Sequence, residues 1–123
     1  MSYPDHGKYE WLPILYDMVA ELKPKKIIEF GPGSGYTTIC MAKALQENKI
    51  DGHINSYDIW NDEYWGKQNT TQYEYDAWGV GNYINLEKLD FFDWIKNGCE
   101  DFDFLYFDIN NTSEKLITLY DAV

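Results

Sequence analysis

Apolar side chains at positions 11, 14, 15, 18, 19 and 22 fall on one stripe of a helix over residues 10–22. Pro13 sits in the first turn, where proline is tolerated, and Pro24 ends the element. Lys25 and Lys26 lead into Ile27-Ile28-Glu29-Phe30, an apolar run that reads as a buried strand over 25–30. A glycine turn, Gly31-Pro32-Gly33-Ser34-Gly35, interrupts the pattern before helical spacing returns over 36–47. Asp51-Gly52 is a turn, and residues 53–60 read as a second strand carrying the acid Asp58.

Residues 61–69 are polar and broken by Gly66, as suits a loop or an interrupted helix. Thr71-x-x-Glu74 has the form of a capping box that starts a helix ending near Gly79-Val80-Gly81. Tyr83–Leu86 alternates as a third strand. Asp90–Ile95 starts a short helix closed by Asn97-Gly98. Phe102–Asp108 is a fourth strand ending in an acid, and Asn111 or Thr112 is placed to cap a last helix reaching Val123.

Strands alternating with helices predict one α/β domain over residues 1–123, a Rossmann-like parallel sheet with helices on both faces. Four strands wound in this way take the order 3-2-1-4, with the switch point between the first and fourth. Ligands of such sheets bind outside the strand C-terminal ends. Glu29, Asp58, Asp90 and Asp108 are expected to converge there.

The length of 123 residues suits one core, and no apolar run approaches the ~20 residues that span a bilayer. The first residues lack the charged-then-apolar pattern of a signal peptide. Two cysteines, Cys40 and Cys99, make neither a disulfide framework nor a zinc cluster, so a cytoplasmic setting is expected and no metal site is assigned. Net charge is −11, and the ten basic residues are all lysine. Without arginine forks or a basic patch, nucleic acid and phosphorylated substrates are disfavoured, whereas a cationic ligand is compatible. Neither a nucleic acid nor a membrane is expected as a partner.

The chemistry concentrates at the glycine turn. Strand, glycine turn and helix together let a ligand approach bare backbone at a helix N-terminus. A dinucleotide fingerprint needs glycine where this chain has Tyr36. Asp58 lies 27 residues after Gly31 and offers two oxygens on a short stem, which suits the vicinal hydroxyls of a ribose; otherwise it is a turn-forming Asp. Asp108 is placed to orient a hydroxyl or amine, act as a base or assist a metal, or else only to brace the loop. Trp60, two residues past Asp58, is a candidate pocket wall, while most other aromatics between Tyr57 and Tyr83 are assigned to packing.

Residues 27–38, 56–60, Asp90-Phe91 and 102–108 together resemble class I S-adenosylmethionine-dependent methyltransferases, in the branch of small-molecule O-methyltransferases similar to catechol and caffeoyl methyltransferases. The resemblance covers about residues 20–121 and implies S-adenosylmethionine as cofactor. It gives Gly31, Gly33 and Gly35 to the cofactor loop and Glu29 to the methionine end of the cofactor and to bracing that loop. It gives Asp58 to the ribose, and Asp90 with the Phe91 backbone to adenine, although Asp90 also suits a plain helix N-cap. Asp108 becomes the candidate for acceptor chemistry. After Asp108 the chain reads Ile109-Asn110-Asn111-Thr112, without the glycine and histidine common in that branch. The chain also ends before the last strands of the seven-stranded methyltransferase sheet.

Two function classes follow. One is methyl transfer to a small-molecule acceptor. The other is a cofactor-binding or oligomerisation module, or a fragment of a longer methyltransferase, without turnover. An NAD-binding domain ranks third, against Tyr36 and the absence of arginine. With strand four at an outer edge and apolar on both faces, a homo-oligomer covering that edge is expected.

Overall fold

The computed structural model describes residues 12–32, 35–59 and 68–107, together with 117, 118 and 121. The chain runs α1 (Leu12–Leu22), β1 (Lys26–Phe30), α2 (Tyr36–Glu47), β2 (His53–Asp58), α3 (Gln68–Ala77), a 3-10 turn (Gly81–Tyr83), β3 (Ile84–Lys88), α4 (Phe91–Lys96) and β4 (Phe104–Phe107). The four strands form one sheet in the order β3-β2-β1-β4, and every neighbouring pair is parallel. The expected fold class and strand order both hold.

Alternation along the strands gives the sheet two unlike faces. Ile27, Ile54 and Ile84 turn toward α1, α2 and α3, where Leu15, Val19, Ile39, Met41, Leu45 and Tyr75 complete a core. Ile28, Phe30 and Tyr57 turn the other way, onto Phe91 and Trp94 of α4. This second face is largely aromatic. Phe30 lies at its centre, 5.5 Å from Phe91 and 5.1 Å from Trp94 between ring centroids, both edge-on. Edge-to-face contacts of this kind suit the ring quadrupoles better than flat stacking.

Several boundaries differ from the sequence pattern for identifiable reasons. α3 begins at Gln68, so Thr71 is not a cap but an interior residue, 1% exposed. The capping-box pattern fails because burial of the Thr71 methyl against the glycine turn outweighs its capping preference. β2 stops at Asp58 rather than running to 60, and β3 starts after the 3-10 turn and reaches Lys88. β4 is described over Phe104–Phe107, with residue 108 outside the described residues, and just before it the Asp103 N–H donates to the Lys26 carbonyl at 3.0 Å. The Asp103 carboxylate accepts from the Lys25 and Lys26 N–H groups at 2.9 and 2.8 Å, clasping the start of β1. The helix expected over 112–123 lies mostly outside the described residues.

Candidate functional site

The parallel ladders place the C-terminal ends of all four strands along one edge of the sheet. Backbone hydrogen bonds then draw three separate segments together there. The Gly31 N–H donates to the Tyr57 carbonyl at 2.9 Å, so the start of the glycine turn lies against the end of β2. The Leu89 N–H donates to the Asp58 carbonyl at 3.1 Å, so the link from β3 to α4 lies against the same strand end. Gly31, Asp58 and Asp90 therefore stand in sequence along one rim.

Gly31 holds φ +86°, a left-handed conformation that turns the chain out of β1 without the strain a side chain would bring. Gly35, with φ +90°, is the N-cap of α2. Its environment differs from an open cradle. A Cβ added there would lie 2.7 Å from Tyr75 Cε1 and 3.0 Å from Thr71 Cγ2, so the space over Gly35 is filled by α3. Gly35 permits helix-on-helix approach.

Glu29 is wholly buried and does not open onto the rim. As the penultimate residue of β1 it turns toward α2, where hydroxyls gather around it. Thr37 Oγ1 donates to its Oε2 at 2.7 Å, Ser56 Oγ donates to its Oε1 at 2.8 Å, and Thr38 Oγ1 donates to Oε1 as well. Tyr75 OH in turn donates to Thr38 Oγ1 at 2.9 Å. A carboxylate so placed is affordable only because donors replace its lost water. Burial, with the Glu29 charge nearby, pushes the Tyr75 phenol above its ordinary range, so the hydroxyl keeps its proton and acts as a donor.

Asp58 is half-buried at the end of β2, and its Oδ1 accepts from the Ile59 N–H at 2.7 Å. Asp90 is the N-cap of α4, with Oδ2 accepting from the Phe92 N–H at 3.0 Å. That is the capping role anticipated for it as the alternative to ligand binding. The Phe91 ring is buried in the aromatic face, 5.0 Å from Phe107 between centroids. Its N–H, at the first position of α4, belongs to the donors that a helix leaves without an internal acceptor. Gly33, Trp60 and Asp108 lie outside the described residues.

Thr37, Thr38, Ser56 and Tyr75 were not singled out by the sequence pattern. The two threonines carried a usable signal, since they follow the glycine turn directly. Ser56 pairs with Glu29 only through the β1–β2 register. Tyr75 had none, being one aromatic among many. Cys40 is a core residue, donating to the Leu12 carbonyl at 3.1 Å, and burial pushes its thiol up to about 12. Among the described residues, no group of three His, Cys, Asp or Glu is arranged to hold a metal ion. No helix among them is long and apolar enough to cross a membrane.

A glycine turn beside the switch point of a 3-2-1-4 sheet narrows the family, and a family model decides it. The model for the methyltransferase domain matches residues 28–123. This chain belongs to that family. Solved structures agree on the fold of this methyltransferase domain. The O-methyltransferase of tomaymycin synthesis from Streptomyces achromogenes, solved with SAM, is 18% identical with a TM-score of 0.70; the match covers 90% of this chain and 49% of that one. A SAH-bound methyltransferase from Podospora anserina is 19% identical at a TM-score of 0.71, over 90% of this chain and 46% of that one. An O-methyltransferase from Bacillus cereus, also with SAH, is 17% identical at a TM-score of 0.71, over 90% and 50%. The chain thus spans about half the length of these neighbours. No curated protein matches its sequence.

Proposed function

We propose that this methyltransferase domain binds S-adenosylmethionine and serves methyl transfer to a small-molecule acceptor. The observation that carries the reading is the rim on which two backbone hydrogen bonds align Gly31, Asp58 and Asp90 beside the switch point. Neighbours of the same fold that hold SAM or SAH support it.

The residues present fit such a cofactor. Asp58 is a half-buried carboxylate at the end of β2, whose two oxygens on a short stem suit the vicinal hydroxyls of a ribose. Asp90 caps α4 through Oδ2 and has Oδ1 to accept an exocyclic amine, while the Phe91 N–H faces an acceptor need of its own. Gly31 supplies bare backbone to the cofactor loop, and Gly33 is assigned to the same loop. Glu29 and Gly35 contribute from beneath, bracing that loop through the α2 threonines and α3. Trp60 is assigned to the pocket wall.

When bound, S-adenosylmethionine supplies an activated methyl group on a sulfonium. The chain's part is to align the acceptor, keep water out and manage a proton. Asp108, next in sequence after β4, is the candidate to orient or deprotonate an acceptor hydroxyl or amine. The net charge of −11 suits a cationic cofactor and an uncharged or cationic acceptor. Free thiols at Cys40 and Cys99 suit a reducing, cytoplasmic setting. Strand β4 pairs only with β1 among the described strands, and its half-buried apolar side chains favour a homo-oligomer that covers the edge.

Calorimetric titration with S-adenosylmethionine, S-adenosylhomocysteine and NAD tests the reading. Saturable binding of the first two and not of NAD is expected. Binding of NAD alone, or of none, would overturn it. Turnover across a panel of small hydroxyl and amine acceptors then separates an enzyme from a binding module.

A further inference from the structure

Beneath the rim, the described residues include a buried polar constellation that packing alone does not require. Among the described residues Tyr75 is the largest fully buried side chain, and it meets both Gly35 and the first turn of α2. Its ring stands where a Cβ on Gly35 would be, and its hydroxyl continues the chain Tyr75–Thr38–Glu29 into β1. A core position on α3 would be served as well by Phe, so the hydroxyl needs a separate account. The contacts join α3 to the N-terminus of α2, the segment that follows the cofactor loop. α3 in turn follows β2 and Asp58 in the chain.

We infer that Tyr75 is a positioning residue that latches Gly35 and the first turn of α2, the end of the glycine turn that the helix anchors. The inference rests on the cofactor reading above for its consequence, but not for the latch itself. The phenol donates to Thr38, and Thr38 donates to Glu29. Each bond orients the next, so the chain fixes the first turn of α2 relative to the end of β1. Without the hydroxyl, Thr38 keeps its bond to Glu29 but is no longer tied to α3. The turn then samples more conformers, and a cofactor must select among them.

The α2 helix offers an internal control. At its other end, Tyr16 OH donates to Glu47 Oε1 at 2.6 Å, a hydroxyl-to-carboxylate bond of the same chemistry remote from the turn. The variants Tyr75→Phe and Tyr16→Phe each remove one hydroxyl and keep the ring. Amide hydrogen exchange without ligand should quicken over residues 31–39 in Tyr75→Phe and stay unchanged there in Tyr16→Phe. Titration with S-adenosylhomocysteine should show about tenfold weaker binding for Tyr75→Phe, and wild-type affinity within about twofold for Tyr16→Phe. Unchanged exchange at the turn in Tyr75→Phe overturns the latch, whatever the binding. Equal weakening by both variants overturns it too, since that reports general loosening of α2. If the unsubstituted chain takes up no S-adenosylhomocysteine while Tyr75→Phe still quickens exchange at the turn alone, the latch stands and the cofactor reading falls.

Discussion

Glu29 and Ser56 stand opposite each other across the β1–β2 ladder, and the serine hydroxyl donates to the carboxylate at 2.8 Å. With Thr37 and Thr38 approaching from α2, this one wholly buried acid ties two strands and a helix together beneath the glycine turn. Glu29→Gln keeps the shape but replaces an acceptor oxygen by an amide that can only donate. Hydroxyls that donated to it must then turn away or go unpaired, at a cost of about 1–3 kcal/mol. Urea unfolding should show a lower midpoint with an unchanged slope. A midpoint equal to wild type would mean that the network contributes nothing net.

Asp58 presents the opposite case, a half-buried carboxylate at the strand-end rim. Asp58→Ala should weaken S-adenosylhomocysteine binding by about 10- to 150-fold, the loss of charge-assisted bonds worth roughly 1.5–3 kcal/mol, with little change in stability. Calorimetry on a folded variant checks it. Unchanged affinity would remove Asp58 from the site.

Gly35→Ala should destabilise the fold more than a usual surface change. The new methyl would meet the Tyr75 ring at 2.7 Å, and φ +90° is strained for any residue with a Cβ. Together these cost about 2 kcal/mol or more. Thermal unfolding should show the loss in the absence of ligand. A stability equal to wild type would mean that α3 yields easily, which would also count against a fixed glycine turn.

Glu100 gives the stability a dependence on acid. Partial burial pushes its carboxyl up, but donors on it outweigh that effect: Tyr57 OH, Trp94 Nε1 at 3.1 Å, Asn55 Nδ2 at 2.9 Å and the Lys26 ammonium at 3.2 Å. The net shift is below the ordinary value of 4.5. A depressed carboxyl stabilises the fold above its unfolded pKa, and the contribution is lost as pH falls through the folded one. Urea midpoints should therefore hold from neutral pH to about 4.5 and decline below it, and Glu100→Gln should make that decline shallower. Parallel curves for the two proteins would exclude Glu100 as a source of the acid sensitivity.

Assembly is the last expectation. Phe104, Leu105, Tyr106 and Phe107 are all half-buried on a strand paired on one side only among the described residues. Such an edge invites pairing with another chain. Sedimentation at micromolar concentration should detect a dimer or larger species. A stable monomer would sink the idea.

Among the described residues the order of strands and helices from α1 to β4 was legible in the sequence, because period-2 and period-3.6 burial are imposed on each segment locally and parallel crossovers admit few topologies. The glycine turn and Asp58 were legible for the same reason: backbone conformation and a strand-end acid are local properties. Capping misled at Thr71, where a threonine preference worth about 1 kcal/mol yielded to burial against Gly35. Glu29 was legible as a residue but not as a buried one, since its surroundings come from β2 and α2 through register and packing. Tyr75 and Ser56 could be read only from the tertiary structure. They lie 46 and 27 positions from Glu29 in the chain, and folding alone brings their hydroxyls into its network. Contacts over such separations leave no periodic trace, because nothing about the neighbouring residues has to change to accommodate them.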